Sequence, residues 1–303
     1  MNSAASIVEC PRDAFQGLPR FIPTEVKLQH LLRIVEAGVR EIDFGSFVSP
    51  AAVPQMADTE ELLRLFRERI ASQAPSPPAI RLIAVIANER GFDRALAARD
   101  ASGGAAPAVG YPLSLSDTFQ RNNTGKSIDE SWPVVERLAR RADETRMEFD
   151  VYLSMAFGNP YGEAWSVEQV AHAAARLALL GVRTILLADT VGRAEPNQLR
   201  ATFDSVAARA GAGVKLGAHL HAAPDGWAGN VAAAYEAGCR RFDASLAGYG
   251  GCPFAQNELV GNIPTEGVVN YFERRGVSTG VSAASLSQAV ASARSIFDTY
   301  GRK

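Results

Sequence analysis

Two histidines on alternate residues, His219 and His221 in Gly217-Ala218-His219-Leu220-His221, close a short apolar run. Residues two apart in a strand point to the same face, so 214–221 is predicted to be a buried strand presenting two imidazoles at its carboxyl end. Neutral imidazole is the commonest protein ligand for a divalent metal. The chain has four histidines, His30, His172, His219 and His221, and half of them sit here. Strand histidines satisfied by hydrogen bonds would explain an isolated pair equally well. The positions of the other polar residues decide between the two.

Those positions depend on the elements around them. Short apolar runs at 7–10, 40–44, 80–86, 106–111, 149–154, 183–188, 214–219 and 241–245 alternate with amphipathic stretches. The stretches cover 24–38, 58–73, 92–101, 127–145, 166–180, 196–210 and 226–238, with 268–276 as the eighth. Thr24, Ser127 with Glu130, and Ser166 with Glu168 supply cap residues and first-turn acids. Gly38, Gly181 and Gly238 stand where helix C-caps belong. Eight strands alternating with helices predict an α/β fold, a (β/α)8 TIM barrel. An extra C-terminal helix is expected over 282–300. The fourth unit is the weakest, because 101–110 is rich in alanine and glycine.

Composition is compatible with one domain over 1–303, carrying a helical extension over about 277–303. Hydrophobic content of 47% is ample for a core, and the only Pro/Ser-rich stretch, 74–78, is too short for an interdomain linker. A formal net charge of -2 shows no nucleic-acid footprint. Three scattered cysteines, Cys10, Cys239 and Cys252, point to a reducing compartment rather than a disulfide framework. No run approaches 18 apolar residues and no leader pattern opens the chain, so the expectation is a cytoplasmic protein without a membrane partner.

In a barrel of this kind the residues just past each strand's carboxyl end face the active site. Arg12 and Asp13 follow strand one, and Asp43 with Ser46 end strand two. Asn88 follows strand three, and Ser116 with Asp117 follow strand four. Ser154 and Asp189 come at strands five and six, and His219 and His221 at strand seven. A glycine-rich loop, 248–254, leads from strand eight to Gly261-Asn262. Any one of these could be a cap or a turn residue, and Asp189 or Ser46 alone would be read so. All eight together are better explained by a site.

These residues resemble the 3-hydroxy-3-methylglutaryl-CoA lyase family, metal-dependent barrel lyases and aldolases, over about Val8 to Tyr300. The matching motifs are Pro11-Arg12-Asp13 with Gln16, Ser46-Phe47-Val48-Ser49-Pro50, Val53-Pro54-Gln55-Met56 and Ala188-Asp189-Thr190-Val191-Gly192. His219-Leu220-His221, the run from Ala247 to Phe254, and Gly261-Asn262 before Thr265-Glu266 complete them. The resemblance implies that Asp13, His219, His221 and Asn262 surround a divalent cation with Arg12 beside it. It also implies that Cys252, on a mobile loop, is required for activity. One carboxylate, two imidazoles and one amide oxygen suit Mg2+ or Mn2+ better than a thiol-rich zinc set would.

The chemistry follows from those residue types. A chelated 3-hydroxyl becomes more acidic, and the carbonyl formed from it is polarised. Loss of that proton lets the C–C bond break to leave a thioester enolate. Arg12 can hold the developing charge, and Cys252 can then protonate the enolate carbon. Asp43 and Asp189 join Arg12 and Cys252 in the candidate catalytic set. Gln16 and Ser46 are candidate cofactor-binding residues. Arg121 and Lys126, in a predicted loop over 120–126, are candidates for the phosphates of a CoA-thioester substrate, although a solvated basic loop explains either alone.

Several positions depart from the family pattern. Ala14 replaces a glycine, Asp43 stands where glutamate is usual, and Asn159 stands where members often have a second cysteine. Ala222-Ala223-Pro224 follow the histidines in place of Asp-Thr, which removes an expected partner of the metal ligands. One extra residue separates Cys252 from Asn262. The reaction type is therefore better fixed than the substrate. The leading expectation is cleavage of 3-hydroxy-3-methylglutaryl-CoA to acetyl-CoA and acetoacetate. The alternatives are a related lyase or aldolase on another 3-hydroxyacyl-CoA or a 2-keto acid, and a non-catalytic binding paralogue. Retention of an acid on the loop argues against the last. A homodimer or higher homo-oligomer is left open.

Overall fold

A computed structural model describes residues 4–73, 78–101, 107–251 and 260–301. Eight parallel strands form its centre: β1 (Ser6–Glu9), β2 (Glu41–Ser46), β3 (Arg81–Val85), β4 (Ala108–Ser114), β5 (Phe149–Ser154), β6 (Thr184–Asp189), β7 (Lys215–Ala222) and β8 (Arg241–Ala244). Each strand pairs with its sequence neighbours, and β8 pairs back with β1, which closes the barrel. This is the expected (β/α)8 TIM barrel. β5 and β6 are buried at every residue, as strands covered on both faces must be.

The helices are α1 (Pro11–Phe15), α2 (Thr24–Glu36), α3 (Thr59–Gln73), α4 (Glu89–Ala101), α5 (Asp117–Thr124), α6 (Ile128–Thr145), α7 (Val167–Leu179), α8 (Pro196–Ala210), α9 (Trp227–Glu236), α10 (Thr265–Glu273) and α11 (Ala283–Tyr300). α11 is the extra C-terminal helix. Ser127 and Ser166 close capping boxes with Glu130 and Gln169. Gly38, Gly181 and Gly238 follow their helices with φ of 99°, 87° and 92°, a region open to glycine at no steric cost. None of the described helices is long and apolar enough to cross a membrane.

Three local features add to or differ from the sequence reading. Residues 120–126 are not a loop, because α5 runs through Thr124. Ser116 Oγ accepts the Phe119 N–H at its start, and Gly125, with φ 72°, ends it. Polar residues in an exposed turn hid a helix whose signals are its caps. Arg12 and Asp13, which follow β1 as expected, lie in α1, a single buried turn with Pro11 in its first position. A two-residue strand, β9 (Gly261–Asn262), pairs antiparallel with the end of β7 and sets Asn262 opposite His221. Two residues carry no periodic signal.

Candidate metal centre

The site is built at the carboxyl end of β7, where α1 and β9 converge on the two histidines. The Asp13, His219 and His221 ligand atoms lie within 4.8 Å of one another, and all three residues are buried. The two histidine Nε2 atoms are 3.2 Å apart, and His221 Nε2 is 3.9 Å from Asp13 Oδ2. Asn262 Nδ2 donates to Asp13 Oδ2 at 2.7 Å and to the Tyr249 carbonyl at 3.0 Å. Its Oδ1 is buried with no hydrogen-bond partner. An unpaired buried acceptor beside two imidazoles and a carboxylate needs a donor or a cation. The mixed nitrogen and oxygen set fits a divalent cation.

Partners behind the ligands orient them. Asp243 Oδ2 lies 3.3 Å from His219 Nδ1, and the Thr190 carbonyl lies 3.0 Å from His221 Nδ1. With those Nδ1 atoms donating, both Nε2 lone pairs face the centre. Burial disfavours the His219 cation, but Asp243 outweighs it and shifts the ring upward. Burial and the nearby His219 push His221 down to about 4. Both rings therefore have an orienting partner from outside the Ala222-Ala223-Pro224 segment. Sequence reasoning missed Asp243, which sits 24 residues from His219 and reaches it because β7 and β8 pair in register.

Arg12 forms the adjoining wall. Its Nε and Nη2 contact the Asp43 carboxylate at 3.1 and 2.5 Å, and its Nη1 contacts Asp13 Oδ1 at 3.0 Å. Burial opposes the guanidinium charge, but Asp43 and Asp13 together raise its pKa above the ordinary arginine value. Burial would raise Asp13, yet Arg12 and the two histidines hold it below the usual carboxylate range. Burial raises Asp43, and Arg12 offsets only part of that. Gln16 bonds both Asp13 Oδ1, at 2.9 Å, and Arg12, at 3.2 Å.

The remaining sequence candidates lie apart from this group. Asp189 accepts the Arg193 and Ala194 N–H groups at 2.8 and 2.9 Å, and its carboxyl is pushed by burial to about 6. It shapes the turn that carries the Thr190 carbonyl. Ser46 Oγ donates to the Val85 carbonyl and accepts the Val48 N–H. Asn88 and Ser116 accept from the first turns of α4 and α5. Arg121 is exposed on α5 and pairs with Asp117 at 2.7 Å, and Lys126 is half-buried just beyond its end. Cys252 lies outside the described residues. Cys10 sits below the centre with His219 and Asp243, where burial and surrounding carboxylates keep its thiol protonated.

Comparisons with known proteins agree with this architecture. The HMGL-like family profile matches residues 7–292. The chain is 34% identical to an (R)-citramalyl-CoA lyase of Chloroflexus aurantiacus, covering 93% of this chain and 88% of that protein. It is also 34% identical to a hydroxymethylglutaryl-CoA lyase of Pseudomonas mevalonii, covering 92% and 87%. An HMG-CoA lyase structure from Acinetobacter baumannii, solved with coenzyme A and 3-methylmalate, superposes with a TM-score of 0.84. That pair shares 30% identity over 99% of this chain and 92% of that one.

Proposed function

The chain belongs to the HMGL-like family and is a carbon–carbon lyase, and from that premise we propose that it cleaves a 3-hydroxy-3-methylacyl thioester of coenzyme A bearing a free carboxylate. The observation that carries this reading is the convergence of Asp13, His219, His221 and the unpaired Asn262 Oδ1 beside the Arg12 guanidinium. Asp13, His219, His221 and Asn262 would hold Mg2+ or Mn2+, which would acidify the 3-hydroxyl and polarise the carbonyl formed from it.

The chain's own groups supply the rest. Once the hydroxyl proton is lost to water at the barrel mouth, the C–C bond electrons move to the thioester side as an enolate. Arg12, fixed by Asp43, faces that developing charge in a buried setting where it is weakly screened. Cys252 protonates the enolate carbon and so completes acetyl-CoA. Asp43 and Asp189 serve as positioning groups, because their carboxylates are engaged by Arg12 and by backbone N–H groups. Gln16 holds Asp13, and Ser46 shapes the adjoining turn. Arg121 and Lys126 remain the proposed contacts for the coenzyme A phosphates.

The preferred substrate is 3-hydroxy-3-methylglutaryl-CoA, giving acetyl-CoA and acetoacetate. A citramalyl thioester, one methylene shorter between carbinol and carboxylate, is the second reading, favoured by the equal 34% identity to a citramalyl-CoA lyase. The test is a panel of both thioesters and the matching free acids with added Mg2+ or Mn2+, read as acetyl-CoA and oxo-acid release. Acetoacetate formation supports the first reading, and pyruvate formation the second. Turnover of the free acids as readily as their thioesters would favour an aldolase. Metal binding without any turnover would leave a binding paralogue.

A further inference from the structure

The C-terminal helix reaches the metal centre through one aromatic pair. The Phe297 ring of α11 stacks on the Tyr249 ring, with centroids 3.6 Å apart and planes 8° from parallel. Phe297 also meets Phe15 of α1 at 6.0 Å. Ala14, Phe15, Ile22, Met56 and Ile296 form a small buried cluster, distinct from the main core, against which Tyr249 and Phe297 pack.

The backbone at Tyr249 is tied to a candidate ligand. Its carbonyl accepts Asn262 Nδ2, the same nitrogen that donates to Asp13. The next residue, Gly250, has φ 86°, and a Cβ there would lie 2.7 Å from Ala14 Cα and 2.9 Å from the Asp13 carbonyl. Residues 249–250 are thus pressed between α1 and β9. Two acceptors hold the Asn262 nitrogen, and that leaves Oδ1 as the atom turned to the histidines. If the Tyr249 carbonyl moves, one of the two bonds fixing the amide is lost.

We propose that Phe297 is a positioning residue for the metal centre: it holds Tyr249 in place, so that the Tyr249 carbonyl fixes Asn262 with its Oδ1 toward the cation. This inference rests on the metal reading above. It gives the C-terminal helix a role in the site beyond packing, by way of contacts that orient a ligand from behind.

The experiment measures Mn2+ affinity of the substrate-free full chain by electron paramagnetic resonance. Phe297→Ala should weaken binding about tenfold, in the range for loss of a ligand's supporting partner. Phe297→Tyr, which keeps the ring, should restore it to within about twofold of wild type by the same argument. Tyr249→Leu should weaken binding as Phe297→Ala does, and the double variant should be no worse than either single one, since both act through one contact. Leu286→Ala, a buried change elsewhere on α11, should lower the melting temperature without moving the affinity. Equal loss in Leu286→Ala, or wild-type affinity in Phe297→Ala, would overturn the proposal alone. No Mn2+ binding by wild type would overturn the metal reading along with it.

Discussion

His219 and His221 face each other Nε2 to Nε2 at 3.2 Å, while Asp243 and the Thr190 carbonyl engage their Nδ1 atoms from outside. Two lone pairs aimed at one point repel unless a proton or a cation sits between them, and the neighbouring Asp13 carboxylate completes a set that a cation would fill. His221→Ala should therefore reduce Mn2+ binding below detection and abolish turnover, with the circular dichroism spectrum unchanged. Wild-type Mn2+ affinity in this variant would remove the histidine pair from the metal set.

Asp243 is fully buried, and its Oδ1 lies 3.6 Å from Arg241 Nε. Its removal frees the His219 ring to rotate and to change tautomer. Asp243→Ala should weaken metal binding by about 10–100-fold, and Asp243→Asn, which can still accept from Nδ1–H, by less. Calorimetric titration with Mn2+ measures both. An identical loss in the two variants would point to general disruption rather than orientation.

The barrel was legible because apolar runs alternate with amphipathic stretches along the chain, and capping residues such as Ser127 and Ser166 and C-cap glycines such as Gly38, Gly181 and Gly238 mark several of the units. The histidine pair was legible because a period of two puts both rings on one face. What supports them was not. Asp243, the Thr190 carbonyl and Tyr249 act through the register of β7 with its neighbours and through a two-residue strand, which no local pattern encodes. The cap roles of Asn88 and Ser116 were open to the same ambiguity, since a polar residue after a strand can serve the site or the next helix. Residues 120–126 misled because Asn122, Asn123 and Gly125 read as a turn, while Ser116 and Gly125 were in fact bounding a helix.

Arg12 makes a forked contact with Asp43 and a third bond to Asp13. Lysine offers one compact ammonium and cannot reproduce that geometry. Arg12→Lys should lower kcat by roughly 10²–10³-fold with a smaller effect on KM, as expected for loss of a group that holds developing charge. Arg12→Met should also cost about 3–5 kcal/mol of stability, because Asp43 is left buried and unpaired. Chemical denaturation of the two variants separates these effects, and equal stability would argue against a buried ion pair.

Cys252→Ser should reduce turnover far more than thioester binding, because the proposed donor acts only after the C–C bond has broken. Rapid-mixing kinetics and a binding titration compare the two. Equal losses would favour a packing role for this side chain.

Glu9 supports the site from below, on β1, where it ties together the two stems that lead into and out of the glycine-rich segment. It is buried, its Oε1 accepts the Leu246 N–H at 2.8 Å, and its Oε2 accepts the Thr265 hydroxyl at 2.5 Å. Burial pushes the carboxyl from 4.5 up to about 8; the two hydrogen bonds oppose this and the charge of Glu266 adds to it. The folded chain thus keeps a proton that the unfolded chain releases near 4.5. Stability from this group is fully present below that pH and is lost as pH rises through about 8. Glu9→Gln mimics the protonated form and can still accept from Leu246, so its stability should lack this dependence. Each pH unit across the window is worth about 1.4 kcal/mol at most, and 1 kcal/mol shifts the melting temperature of a chain of 150–250 residues by roughly 2–4 °C. The melting temperature of Glu9→Gln should therefore gain on wild type steadily from pH 5 to pH 8. Parallel curves over that range would show that Glu9 is already ionised in the folded protein.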